Sequence, residues 1–385
     1  MKVLVVCIPL AGHLNPLKPL IGAFVDAGDE VLVASGPDVR SEVVAAGAEF
    51  ALAGHGFGWW FEQLGTRTRA MPGDGLAPER ILGYFLPRVF GEAALEDMVD
   101  GALDAATEFS PDLVVFDTFA LAGPLVADIV GAPSVNIPVT LPLARTELEL
   151  VDDAVCPMWR AFGRRSPGLA GIYRGLTADI WPAGLDVLDV DEGTRLALRP
   201  CPVPTGPRRP TEEPTVYVTL GTLYGSSTDV FAEVLRGLAS APVRVVVTVG
   251  ADHDPAALRG IAANARVERY LDHAELLPTC SAVVHHGGSG TMFGALAHRL
   301  PQVVIPQGAD NYVNADTVAA AGLGVALRPA DLTADAIRDT VDNVLRNSSF
   351  CTAAGVVADE IAVMPSHADF VASLETIIRR RTAKA

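Results

Sequence analysis

The chain has 385 residues, a length that suits two ordinary domains better than one. Half of the residues are hydrophobic and 19% are charged, enough for large cores, yet no apolar run reaches the ~18 residues of a membrane-spanning helix. The net charge of −17 argues against a nucleic-acid partner and means that any anionic ligand must be held by local donors rather than by a global field.

Met1 to Leu10 is apolar, with one lysine and no small-residue cleavage site, so it reads as a first buried strand, Lys2–Ile8, rather than a signal peptide. A loop containing His13 follows. The predicted helix Pro16–Ala27 opens on a proline suited to a first turn, and a strand covers Glu30–Ala34. Residues 54–90 include GHGFGWWFEQL and GYFLPRVF. Phe57, Trp59, Trp60, Phe61, Tyr84 and Phe85 read equally well as the lining of an apolar pocket for a flat molecule or as core. Met158, Trp159, Phe162 and Tyr173 form a second candidate wall. His55 is open between a ligand contact and a surface histidine. The glycine- and proline-rich stretch 65–78 reads as a mobile loop that closes over the pocket.

The strand Leu113–Phe116 runs directly into Asp117, with a helix from about Ala120 and a further strand at Ser134–Ile137. Arg199 to Pro214 holds six prolines in sixteen residues and reads as a linker, dividing the chain near residue 205. Beyond it the pattern predicts strand Val216–Leu220, helix Asp229–Leu238, strand Val243–Val249, helix Pro255–Ala263, strand Val283–His285, a glycine-rich turn with its helix, and strand Gln302–Ile305. Alternating strands and helices with apolar strands imply parallel sheets covered on both faces. The expected fold class is α/β, with two doubly wound Rossmann-like domains, 1–205 and 206–360, facing across a cleft. Ligands in such sheets lie at the carboxyl ends of the strands.

The richest stretch is Val283 to Ala315, VVHHGGSGTMFGALAHRLPQVVIPQGADNYVNA. Small residues at a helix N-terminus let phosphate oxygens approach backbone N–H groups, and the helix dipole adds attraction. His286 supplies a side-chain donor, while Asp310 and Asn311 are a carboxylate and an amide suited to hydroxyls. Together they fit a nucleotide diphosphate carrying a sugar. In the first domain His13 and Asp117 both fall at strand carboxyl ends, where a carboxylate on Nδ1 would orient an imidazole base. Each alone also reads as a structural group, a core histidine or a helix cap. Five scattered cysteines without a Cys-x-x-Cys pair suit a reduced cytoplasm and give no metal or disulfide signal. The pairs Asp189–Asp191 and Asp252–Asp254 lie in acidic loops away from the glycine helix, and no metal is expected.

GHLNP at 12–16, VTLGT at 218–222, HHGGSGT and PQGADNYVNA together resemble the family 1 glycosyltransferases of the two-Rossmann (GT-B) type. Among these the likeness is to actinobacterial enzymes that put sugars on polyketides and other antibiotics. The resemblance covers nearly the whole chain in order and spacing. It implies that His13 is the general base and Asp117 its partner. It also implies that His286 and the amides of Gly288, Ser289, Gly290 and Thr291 hold the pyrophosphate, with Gly221 and Thr222 beside it. Asp310 and Asn311 would grip sugar hydroxyls, and Tyr270 and Leu271 would face the nucleobase. A last helix within 361–385, near Phe370–Ile378, would cross back onto the first domain.

Three departures from the family pattern matter. The base platform is Tyr270 where plant relatives often have Trp. Asn311 stands where Gln is common, which shortens its reach. UDP-using relatives carry Glu eight residues after the histidine, where this chain has Gly294; losing that grip on the ribose favours a dTDP-sugar, and the alternative for Gly294 is close helix packing. The implied activity is inverting transfer of a deoxysugar to a hydroxyl of a lipophilic natural-product aglycone, without a cofactor or metal. A homodimer is one allowed state. UDP-sugar transfer, sugar-nucleotide epimerisation on the same fold and a non-catalytic auxiliary partner are the rivals. Neither the Gly-x-Gly-x-x-Gly of a dinucleotide oxidoreductase nor the Gly-x-Ser-x-Gly of a serine hydrolase is present.

Overall fold

The structure, a computed structural model, describes residues 1–68, 81–185, 187, 193–203, 208–209, 211–221, 228–250 and 253–382. Two compact units divide the chain. The first comprises Met1–Ile180, Leu188–Arg199 and Met364–Ala385, and the second Trp181–Val187 and Pro200–Val363.

The first unit is built on seven strands: β1 Lys2–Val6, β2 Glu30–Ser35, β3 Glu49–Leu52, β4 Leu113–Asp117, β5 Ser134–Ile137, β6 Leu176–Asp179 and β7 Thr194–Ala197. They pair in the order β3-β2-β1-β4-β5-β6-β7, every neighbour parallel. β1 and β4 are almost wholly buried, as a central strand covered on both faces must be. Val6 pairs with Phe116, so Cys7 and Asp117 emerge side by side where the strand order reverses. The core on one face includes Trp60, Phe116 and Trp159, all fully buried. The helix His367–Thr382 buries Phe370, Val371 and Leu374 and packs on the helix Ala11–Asp26. Arg199 fastens its approach: the guanidinium donates twice to the Met364 carbonyl, at 3.2 and 2.9 Å, and its N–H donates to Pro365.

The second unit repeats the plan with six strands: β8 Thr215–Thr219, β9 Arg244–Thr248, β10 Ala265–Glu268, β11 Ala282–His285, β12 Gln302–Val304 and β13 Gly324–Ala326. Their order is β10-β9-β8-β11-β12-β13, again all parallel, with the reversal between β8 and β11. Among the described residues no single helix is long and apolar enough to cross a membrane.

Several boundaries differ from the sequence expectation. β1 stops at Val6, and the next helix begins at Ala11 rather than Pro16, so Pro16 and Pro19 lie inside it. A proline within a helix costs about 3 kcal/mol and one hydrogen bond. Burial of Leu14, Leu17, Leu20, Ile21 and Phe24 along one face outweighs that cost. The predicted helix Pro255–Ala263 shrinks to a single turn, Pro255–Leu258, and Gly260 at φ +83° breaks the continuation. Strands β3, β6, β7, β10 and β13 were not foreseen. They are three or four residues long, and sequences such as EFAL, LTAD and ARVE carry too little periodicity to stand out.

Candidate active site

Each unit places its chemistry at the reversal of its own sheet, where successive loops leave in opposite directions and open a crevice. In the first unit, Asp117 closes β4 and is fully buried. One carboxylate oxygen accepts the Ile8 N–H at 2.8 Å. The other accepts the Phe119 N–H at 2.9 Å and meets His13 Nδ1 at 3.0 Å. A carboxylate can only accept, so Nδ1 carries the proton, and in the neutral ring Nε2 presents its lone pair. His13 therefore sits in the first turn of a helix, not in the loop expected from the sequence, and its side chain is 12% exposed. Phe119 meets the imidazole edge-on at 5.5 Å, Phe90 stands 6.0 Å away, and the two phenyl rings stack on each other at 4.9 Å. This wall was not singled out from sequence. Phe90 lies on a π-helical stretch, Leu86–Ala94, and such widened turns recur at functional sites. Burial pushes the neighbouring Cys7 thiol well above its ordinary range, and the charge of Asp117 adds to the effect, so Cys7 is not a competing nucleophile.

In the second unit the helix Ser289–Ala297 begins at Gly288, which has no side chain of its own to cap the first turn. Gly287 has φ +99°, and a Cβ there would stand 2.8 Å from the Asn311 carbonyl, so the turn requires glycine. Gly221, at φ +72°, closes against His286 from the loop after β8: a Cβ would overlap the imidazole. A Cβ on Gly288 would stand 2.5 Å from His286 Nε2. The ring thus lies between the two glycines. Around Gly290 nothing comes within 4 Å of an added Cβ, which leaves the first helical turn open to a ligand.

Two residues that sequence reasoning passed over hold this turn together. His285, fully buried, accepts the Gly287 N–H on Nδ1 at 3.1 Å and therefore donates from Nε2 to Gln302 at 2.7 Å. Asn314 donates to the Gly287 carbonyl at 2.7 Å and lies 3.1 Å from both Ser289 Oγ and Asp310 Oδ2. Its spacing of four from Asp310 on one helix face was the available signal. Asn311 is only 3% exposed. Its amide is oriented to donate to the His286 and Gly308 carbonyls at 3.3 and 3.0 Å; the reverse orientation leaves a 3.4 Å contact from Gln307 N–H and one to Asp310. Ala309, just before Asp310, holds φ +50°, a left-handed conformation uncommon outside glycine.

The expected base platform, Tyr270, is 75% exposed, and Leu271 is half-buried. Below this loop the Tyr217 hydroxyl joins Thr248 at 2.7 Å and His273 Nε2 at 3.0 Å. Thr222 lies outside the described residues, as do Asp189, Asp191, Asp252 and most of the loop 65–78. Asp254 caps the turn at Pro255. Among the described residues no cluster of three metal-ligating side chains occurs.

The aromatic set divides. Trp60 and Trp159 are fully buried and Tyr173 nearly so, which makes them core and corrects the pocket reading for Trp60. Trp60 also donates its indole N–H to Asp97 at 2.8 Å. Phe57, Trp59, Phe61, Phe85, Met158 and Phe162 remain partly exposed against that core. Tyr84 is half-buried, with the Arg88 guanidinium 4.3 Å over its ring.

Burial lowers the His285 pKa to about 4 and that of His286 to about 3, the latter helped by His285. Both are neutral at pH 7, so His286 offers a neutral hydrogen bond. In the unfolded chain both titrate near 6.5 and take up protons that the folded chain refuses. Stability is therefore expected to be complete above pH ~6.5 and to fall toward pH ~4, by up to ~1.4 kcal/mol per pH unit for each linked proton. Urea unfolding at mildly alkaline and mildly acidic pH checks this; equal midpoints would contradict the burial of neutral imidazoles.

Residues 232–377 match the family described as "Erythromycin biosynthesis protein CIII-like, C-terminal domain". Over 388 residues the chain is 32% identical to the elloramycin glycosyltransferase ElmGT of Streptomyces olivaceus, covering 98% of this chain and 97% of that protein. It is 29% identical over 425 residues to the aclacinomycin-T 2-deoxy-L-fucose transferase of Streptomyces galilaeus, covering 98% and 96%. The spinosyn rhamnosyltransferase SpnG, solved in complex with thymidine diphosphate, superposes with a TM-score of 0.78 at 28% identity, covering 97% of this chain and all of that one. With its two doubly wound parallel sheets and this near full-length likeness, the chain belongs to the actinobacterial antibiotic glycosyltransferases of the GT-B fold.

Proposed function

We propose that the protein transfers a deoxysugar from a dTDP-sugar to a hydroxyl of a lipophilic natural-product aglycone, with inversion and without a metal. The observation that carries this reading is the His13–Asp117 pair: an imidazole with Nδ1 tied to a buried carboxylate, Nε2 free to take a proton, and an apolar wall of Phe90 and Phe119 beside it. His13 Nε2 removes the acceptor proton as that oxygen attacks the anomeric carbon. Attack opposite the departing diphosphate inverts the centre through an oxocarbenium-like state. The leaving diphosphate gathers charge, and the open helix turn with neutral His286 offsets it through hydrogen bonds and the helix dipole. An acidic chain whose helix Ser289–Ala297 carries no lysine or arginine supports such a scheme. A relative named for 2-deoxy-L-fucose transfer and a neighbour solved with thymidine diphosphate support the donor class.

Donor choice is tested at Gly294. An added Cβ there meets only Leu277 Cδ1, at 3.4 Å, so close packing does not demand glycine. Wild type is expected to bind dTDP at least as tightly as UDP, since an enclosed thymine methyl adds roughly 0.8 kcal/mol. Gly294→Glu should shift the preference toward UDP. Competition titrations on both proteins decide it, and tenfold tighter binding of UDP by wild type would favour a UDP-sugar donor. Activity should survive EDTA; strict dependence on added Mg²⁺ would overturn the metal-free scheme.

A further inference from the structure

The first unit contains a second histidine–carboxylate pair, and the reaction as proposed leaves it without a task. Asp97, 5% exposed at its side chain, accepts the His55 backbone N–H at 2.6 Å and the Trp60 indole N–H at 2.8 Å, and meets His55 Nδ1 at 2.6 Å. The imidazole lies flat on the Trp59 indole, with ring centres 4.3 Å apart and planes within 11°. It is thus held at Nδ1 and on one face, while its side chain stays 60% exposed and Nε2 has no partner among the described residues. With Nδ1 donating to the carboxylate, Nε2 of the neutral ring is the hydrogen-bond acceptor, as in His13.

Its place in the fold gives this arrangement meaning. His55 follows β3 as His13 follows β1, at the same carboxyl edge of the sheet. Gly36, after β2, is wedged between Pro9 and the His55 carbonyl with no room for a Cβ, so the three loops lie side by side. Two strand spacings, roughly 10 Å, separate the ends of β1 and β3. That is about the length of three fused six-membered rings. The half-exposed rings of Trp59 and Phe57 lie on the same segment.

We infer that His55, fixed by Asp97 and stacked on Trp59, accepts a hydrogen bond from a second hydroxyl of a flat, polyhydroxylated aromatic acceptor whose reacting hydroxyl lies at His13. The inference rests on the acceptor role proposed for the first unit. His55 is a specificity-determining residue here, and proton removal stays with His13.

The probes are 2,6-dihydroxyanthraquinone and 2-hydroxyanthraquinone, which differ by one distal hydroxyl, titrated against the intact protein. Wild type should prefer the dihydroxy compound by about three- to tenfold, the range of one net hydrogen bond. In His55→Asn the amide keeps a donor near the Nδ1 position, holding Asp97, but loses the Nε2 acceptor, so the preference should vanish. His55→Gln places an amide oxygen near Nε2 and should restore much of it. dTDP affinity should not change in either variant, and a thermal melt checks that both remain folded at the assay temperature. An undiminished preference in His55→Asn, or equal weakening of both probes, would overturn the role of His55 while leaving the acceptor site standing. Failure of both probes to bind wild type would overturn the acceptor reading itself, and the inference with it.

Discussion

His13→Ala is expected to abolish transfer to an aliphatic hydroxyl, with a loss of about 10²–10⁴ in rate, the usual contribution of a positioned general base. Donor binding should stay within a few-fold, because the diphosphate contacts proposed here belong to the second unit. Asp117→Asn tests the partner more delicately. The carboxylate accepts two backbone N–H groups besides holding His13. An amide has one acceptor oxygen, so at least one of these interactions is lost and the tautomer of His13 is no longer fixed. Its rate loss should be larger for an alcohol than for a phenol, which is already acidic and needs less help from a base. A thermal melt separates misfolding from misorientation. Near wild-type turnover by His13→Ala on an alcohol would remove the base assignment, and equal losses of Asp117→Asn on both acceptors would count against the orienting role.

Asp117 was legible from sequence because it ends an apolar strand, and His13 because it follows one closely, although its place in the first turn of a helix was not. An apolar run that stops at a polar residue marks a ligand-facing position in a parallel sheet. The glycine cluster was legible for a similar reason, since Gly287 and Gly288 interrupt a strand–helix junction where side chains would collide. What sequence hid was tertiary. Phe90 and Phe119 are 29 positions apart and meet at His13 only because a π-helical turn delivers the first of them. His285 looks like half of a His–His motif, yet its task is to receive the Gly287 N–H and lock onto Gln302. Trp60 and Trp59 are adjacent in the chain, but helical geometry sends one into the core and the other to the rim. Alternation cannot separate them where Trp59, Trp60 and Phe61 follow one another. The helix start at Ala11 was misjudged because a proline weighs heavily in local propensity and lightly against five buried apolar side chains.

The diphosphate site should show its construction through non-additivity. His286→Ala removes one neutral donor facing a charged ligand, a hydrogen bond worth about 1.5–3 kcal/mol, or roughly ten- to hundredfold in dTDP affinity. Thymidine, which lacks the phosphates, should bind the variant as well as it binds wild type. Gly288→Val should be worse alone, because its Cβ would stand 2.5 Å from His286 Nε2 and its methyls would cover the first N–H groups of the helix. Gly221→Ala should act differently. It strains a backbone at φ +72° and drives a methyl into the same imidazole from the other side, without covering the helix turn. Most of its damage is therefore displacement of His286. Combining Gly221→Ala with His286→Ala should cost little more dTDP affinity than His286→Ala alone, whereas Gly288→Val should remain harmful in either background. Calorimetry of dTDP against the single and double variants gives the coupling directly. Additive losses for the Gly221 and His286 pair would mean that the two residues act on the diphosphate separately, and that the ring held between two glycines is not what positions the donor.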